Sequence, residues 1–182
     1  MKGIKFRVVL DFEEDVFRDI LMPEDANFEA LHAEILRSFG YPDNQMASFY
    51  MSNEQWDKGE EIPLFDMNEE FGPEALPTMK EVLLAQKIEE KGQRLVYVYD
   101  FMLMWCFFVE VIGFEETTEN LPLVTTIFGS APDPNSKEPD FMFETESSPS
   151  SNTNLNGDDE DDDEDDDIFS DFEDGFDEDD LR

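Results

Sequence analysis

Cysteine and histidine are all but missing from this chain. Its one cysteine, Cys106, has no second thiol to pair with, which excludes an internal disulfide and, among apolar neighbours, marks an inert core thiol. Its one histidine, His32, excludes a zinc site of the Cys/His kind, and any imidazole dyad would have to be built on it. Basic residues are scarce as well: 12 Lys and Arg stand against 48 Asp and Glu, for a net charge of −36. Binding to nucleic-acid phosphates or to an anionic membrane surface requires a basic patch that releases counterions, and none is present. A basic protein is the partner such a charge favours. No apolar run approaches the roughly 20 residues of a membrane helix, and the start MKGIKFRVVLDF is broken by Lys5, Arg7 and Asp11, unlike a secretory signal. A cytoplasmic location is expected. With no nucleophile and base pair, no metal triad and no Gly-rich phosphate loop, neither an enzyme nor a cofactor is expected.

What the chain does have is apolar, aromatic and rich in β-formers. The run RLVYVYDFMLMWCFFVEVIGF, residues 94–114, is its most apolar stretch. At a period of two, Leu95, Tyr97, Tyr99 and Phe101 share one face, and after a turn Trp105, Phe107, Val109 and Val111 do the same. The opposite faces are apolar too, so the run reads as a buried hairpin in mid-sheet. At the start, Ile4, Phe6, Val8, Leu10 and Phe12 alternate with Lys5, Arg7, Val9 and Asp11. Residues 16–22 resume the alternation until Pro23, so the first two strands form an antiparallel hairpin. Asn27 caps a helix whose stripe is Phe28, Leu31, His32, Ile35 and Phe39, and Gly40 ends it. A third strand is expected at 46–51, a turn bearing Trp56 at 52–59, a short fourth strand at 62–67, a short helix after the Thr78–Glu81 capping box, and a last strand at 121–128. The pattern gives a mixed sheet of about five to seven strands with one main helix packed on it.

From residue 133 the composition turns to Pro, Ser, Asn and acid, and 17 of the 48 acids lie between 158 and 180. Such a segment cannot bury enough apolar area to offset chain entropy. The expected organisation is a domain over 1–134, a polar linker over 135–156 and a disordered acidic tail over 157–182. The tail holds a calcium-loop lookalike at Asn152, Asn154, Asn156, Gly157 and Asp163. It lacks the bidentate Glu, has Asp159 at the apolar position and has no flanking amphipathic helices, so no calcium site is assigned. Its acids are punctuated by Phe169, Phe172 and Phe176 at near-helical spacing, a candidate docking face for a basic groove.

The segments KFRVVLDFEEDVFRDILMPEDANFEALHAEILRSFGYPDNQMASFYM and GQRLVYVYDFMLMWCFFVEVI together resemble the plasmid pRiA4b ORF-3-like family, a bacterial and archaeal family of unknown function. Arg18, Pro23, Leu31, His32, Gly40, Tyr97, Tyr99, Asp100, Phe101 and Trp105 carry the likeness, and LPLVTTIFGSAPD is similar to the family's closing loop. The likeness spans about residues 4 to 134. The chain departs where the family has Gly-Asp, here Met102 and Leu103, and where it has His, here Phe107. The resemblance implies an α+β fold similar to a ubiquitin-like β-grasp and implies no established reaction.

Two site expectations follow from the residues. Asp100, between two apolar strands, needs a partner if buried, and Arg18, mid-strand in the first hairpin, is the natural one for a structural ion pair. His32, Tyr97, Tyr99 and Trp105 would line a pocket if the domain bound a small ligand or were an enzyme. The favoured reading is a non-enzymatic protein-interaction module with a tail that engages a basic surface; an aromatic ligand pocket is the alternative. No residue pattern fixes the oligomeric state.

Overall fold

A computed structural model of the chain describes residues 1–66 and 76–138. These belong to one compact unit, Met1–Met142. Seven strands form its sheet: β1 (Lys2–Leu10), β2 (Phe17–Pro23), β3 (Ala47–Ser52), β4 (Lys58–Pro63), β5 (Arg94–Tyr99), β6 (Trp105–Glu116) and β7 (Leu123–Phe128). Among the described residues two helices accompany them, α1 (Phe28–Phe39) and the single turn α2 (Leu84–Lys87). The strand order is β4-β3-β5-β6-β1-β2-β7.

The expectation of a mixed sheet in an α+β, β-grasp-like fold is overturned. Among the described residues every strand pair is antiparallel, and helix is a minor part. The reason lies in the pairing. Three hairpins, β1–β2, β3–β4 and β5–β6, supply three of the six strand pairings, and the longer crossovers return each strand against its neighbour's direction. Most telling is β6, which runs beside β1 from Lys2↔Glu116 to Leu10↔Phe107. That register makes β6 the middle strand of the sheet, with its hairpin partner β5 beside it.

Both expected hairpins are present. In β1, Ile4, Phe6, Val8 and Leu10 are buried while Lys5 and Val9 are half-buried and Arg7 exposed, so one face lies on the core. In β5 both faces are buried, with Leu95, Tyr97 and Tyr99 inward and Val96 and Val98 opposite. Helix α1 is capped at Asn27, whose side chain accepts from the Ala30 N–H, and closes at Gly40 in the left-handed region, φ 74°. Ring contacts trace its path across the core face. Phe28 packs edge-on against Phe49 of β3 at 5.3 Å, His32 against Tyr97 of β5 at 5.8 Å, and Phe39 against Phe107 of β6 at 5.0 Å.

Two local expectations shift. The fourth strand lies at Lys58–Pro63, earlier than 62–67, because Glu61 and Ile62 pair with Tyr50 and Phe49. Thr78 and Glu81 do bond, through the Thr78 N–H and hydroxyl to Glu81 Oε2, but they close a turn, and the helical turn comes later at α2. Edge strand β4 carries Lys58, Glu60, Glu61 and Pro63, which discourage further pairing. Among the described residues no helix is long and apolar enough to cross a membrane.

Candidate functional site

The helix stripe that buries Phe28 and Phe39 also drives His32 into the core, where it is about 1% exposed. Its Nδ1 lies 2.7 Å from the Tyr97 hydroxyl and its Nε2 lies 3.0 Å from Asp43 Oδ1, in the loop after α1. Burial above all, with the neighbouring charges of Tyr99 and Asp43, pushes the Tyr97 phenol well above its ordinary pKa, so it keeps its proton. In the tautomer that points Nε2–H at the Asp43 carboxylate, Nδ1 accepts from the Tyr97 hydroxyl. This carboxylate–imidazole–hydroxyl order resembles a nucleophile relay, but the hydroxyl at its end is fully buried in the sheet. The chain of bonds serves to fix the 41–46 loop against the helix.

The other members of the expected pocket are also packed and satisfied. Tyr99 donates its hydroxyl to the Pro42 carbonyl, and the Trp105 indole N–H donates to the Pro134 carbonyl at 2.9 Å. Tyr41 wedges between Tyr99, Trp105 and Phe107 at ring separations of 5.9, 5.6 and 6.2 Å. His32, Tyr97 and Tyr99 thus build a filled aromatic core, and only Trp105 borders a groove. Tyr41 is an unforeseen member of this cluster, and its buried hydroxyl has no hydrogen-bond partner among the described residues.

Arg18 and Asp100 do not meet. Arg18 is buried on β2 and spends its guanidinium on carbonyl oxygens: Ser38 at 3.0 Å from Nε, with Phe17 and Phe128 at 2.8 Å and Gly129 at 3.3 Å from Nη1. It also lies over the Phe39 ring, 4.6 Å from the centroid. Burial lowers its pKa. Asp100 instead caps its own turn, with Oδ1 accepting from the N–H groups of Met102 and Leu103 at 3.0 and 3.1 Å. It is left-handed at φ 58°, which an aspartate tolerates by such local bonding. The ion pair that does form joins buried Asp19 to exposed Arg7 on the opposite face of the sheet, by two parallel bonds of 2.8 and 2.9 Å. Cross-strand register places Arg7 opposite Asp19, a pairing readable from the hairpin once its turn is fixed.

Surface chemistry concentrates at the end of the sheet where β1, β5 and β4 finish. There Phe12, Phe65, Phe101, Met102 and Met104 are exposed. The turn that presents Phe101 and Met102 is held left-handed at both ends, Asp100 and Met104. A groove of about 540 Å³ lies beside it, lined by Asp11, Phe12, Glu13, Trp105, Ser136 and Lys137. A second hollow, of about 200 Å³, includes Met46, Phe65, Leu76 and Phe101. Lys137 reaches across the first groove, its ammonium 5.4 Å from the Trp105 ring centroid and 2.7 Å from the Met104 carbonyl. Cys106 is half-buried nearby, and burial chiefly, then Asp11, pushes its thiol above its ordinary pKa, which disfavours the reactive thiolate. Among the described residues no three His, Cys, Asp or Glu side chains gather as a metal would require. Phe169, Phe172 and Phe176 lie outside the described residues.

Comparison with known proteins places this geometry. The crystal structure of a protein of unknown function, MM3350 from Methanosarcina mazei Go1, superposes with a TM-score of 0.62 over 75% of each chain at 21% identity, a likeness of fold. No curated protein matches the chain in sequence. A match to the family described as Plasmid pRiA4b ORF-3-like protein runs over residues 2–181. The chain belongs to the plasmid pRiA4b ORF-3-like family.

Proposed function

We propose that the protein is a non-enzymatic, cytoplasmic interaction module that engages a basic protein partner. The observation that carries this reading is its charge, −36 over 182 residues. A field of that sign and size steers cationic surfaces toward the chain and repels nucleic acid and anionic membrane. The acidic segment 157–182, with Phe169, Phe172 and Phe176 set among carboxylates, supplies apolar anchors for a basic groove. The alternative, a small-ligand-binding or enzymatic domain with an aromatic pocket, loses support because His32, Tyr97 and Tyr99 pack solid and bond to protein groups.

The test is a pull-down with the full chain and with a chain lacking 157–182, at low salt and at about 1 M salt, where the Debye length shrinks to about 3 Å. The retained proteins should present basic surfaces, leave at high salt and bind the shortened chain less well. Retention that ignores both the salt and the deletion sinks the electrostatic reading.

A further inference from the structure

We propose that the loop end of the sheet is a docking surface for a cationic segment of a partner protein, one lysine or arginine of which takes the place of Lys137 on the Trp105 ring, between Asp11 and Glu13. This rests on the reading of the chain as a binder of basic proteins and gives that reading a site in the folded domain.

Three features carry it. The groove itself sets carboxylates beside aromatic faces: Asp11 and Glu13 flank Phe12 and Trp105, whose rings are 6.4 Å apart and inclined at 46°. That is the chemistry that receives an ammonium or guanidinium group, with a charge for its head and a ring for its face. Lys137 already demonstrates the fit, since its ammonium sits on the Trp105 ring and is bonded to the Met104 carbonyl. Next to the groove and its Phe12, Phe101, Met102 and Met104 expose apolar surface on the β5–β6 turn, whose two ends, Asp100 and Met104, are left-handed. Adaptable methionines beside an aromatic are what an apolar residue next to the partner's cation would meet. Glu14 and Asp15 extend the negative rim along the β1–β2 turn. A second copy of the chain, carrying the same −36, is repelled from such a surface; a basic segment is drawn to it.

The experiment is a titration of isotope-labelled full-length chain with a short capped peptide of alternating lysine and leucine at low salt, followed by amide and indole resonances. The chain has two tryptophans, so Trp56→Phe assigns the Trp105 indole signal. The expected result is a saturable shift of that indole and of the amides of Phe12 and Met102. Asp11→Asn with Glu13→Gln should weaken binding about threefold to tenfold, the range one or two exposed charge contacts command. Lys137→Ala should tighten it, while Lys91→Ala, which removes an equal charge from the opposite end of the sheet, should not. A peptide that binds but shifts only 157–182 overturns this site and leaves the wider reading standing. Shifts at Trp105 with unaltered affinity in the Asp11, Glu13 and Lys137 variants overturn the cation chemistry. No shift anywhere overturns both proposals, and the glutamate-for-lysine peptide should give that null result.

Discussion

Replacing Arg18 by methionine keeps most of the side-chain volume and removes the guanidinium. Two effects then oppose each other. The folded state no longer desolvates a charge, a relief of several kcal/mol. It also loses three bonds of 2.8–3.0 Å from a cation, each worth about 1.5–3 kcal/mol. The carbonyls decide the sign. Ser38 belongs to the last turn of α1 and Phe128 closes β7, and each would be left buried or half-shielded without its donor, at about 1–3 kcal/mol apiece. The expected net loss is about 2–4 kcal/mol, a large part of the roughly 5–15 kcal/mol that holds a domain together. With a urea slope near 2 kcal/mol per molar, the unfolding midpoint should fall by about 1–2 M at unchanged slope. Arg18→Lys should fall between, since one ammonium on a shorter stem cannot span carbonyls from β2, α1 and β7. Lys5→Met, which breaks the exposed 2.8 Å pair with Glu115, should cost under about 1 kcal/mol. An Arg18→Met variant as stable as the parent chain, as apolar replacements of buried ions sometimes are, would refute the view that this arginine ties the three elements together.

Tyr41→Phe removes the one buried hydroxyl of the aromatic cluster that lacks a partner, and should raise stability by about 1 kcal/mol in the same urea assay; a loss of that size would mean the hydroxyl is bonded after all. Asp19 is pulled two ways: burial would raise its pKa, but the bonds from Arg7 and Thr126 and the charges of Arg7 and Lys5 outweigh it and hold the carboxyl below its ordinary value. A depressed folded-state pKa lends stability that is complete above the unfolded-state value near 4 and drains away as pH falls through the folded-state value. Asp19→Asn should therefore cost stability at pH 7, and its gap to the parent chain should close below about pH 4. A gap that stays constant down to pH 2 rules this out.

Local rules carried the sequence reading a long way. The alternation from Ile4 to Leu10 and from Leu95 to Tyr99, the Asn27 cap and the stop at Gly40 all lie within a few residues of their causes. The apolar character of both faces of 94–114 also told its central place, although only β5 is buried on both faces and the second face of β6 is half-buried. Where bonding partners lie far apart in sequence, the same rules fail. Asp100 looked like the mate of Arg18 because burial demands satisfaction, yet each found it in backbone: Asp100 in its own turn, Arg18 in carbonyls as distant as Phe128.

The sequence alone determined the alternating strands, the capped helix, the excess of negative charge and the want of metal-binding and phosphate-binding motifs, since composition and short-range periodicity are properties of neighbouring residues. Tertiary structure alone decided that β6 lies along β1, that every strand pair among the described residues is antiparallel, that His32 is locked between Tyr97 and Asp43, and that Lys137 rests on Trp105. Those outcomes depend on which distant segments the core brings side by side, and a polar group takes whichever partner packing leaves within about 3 Å.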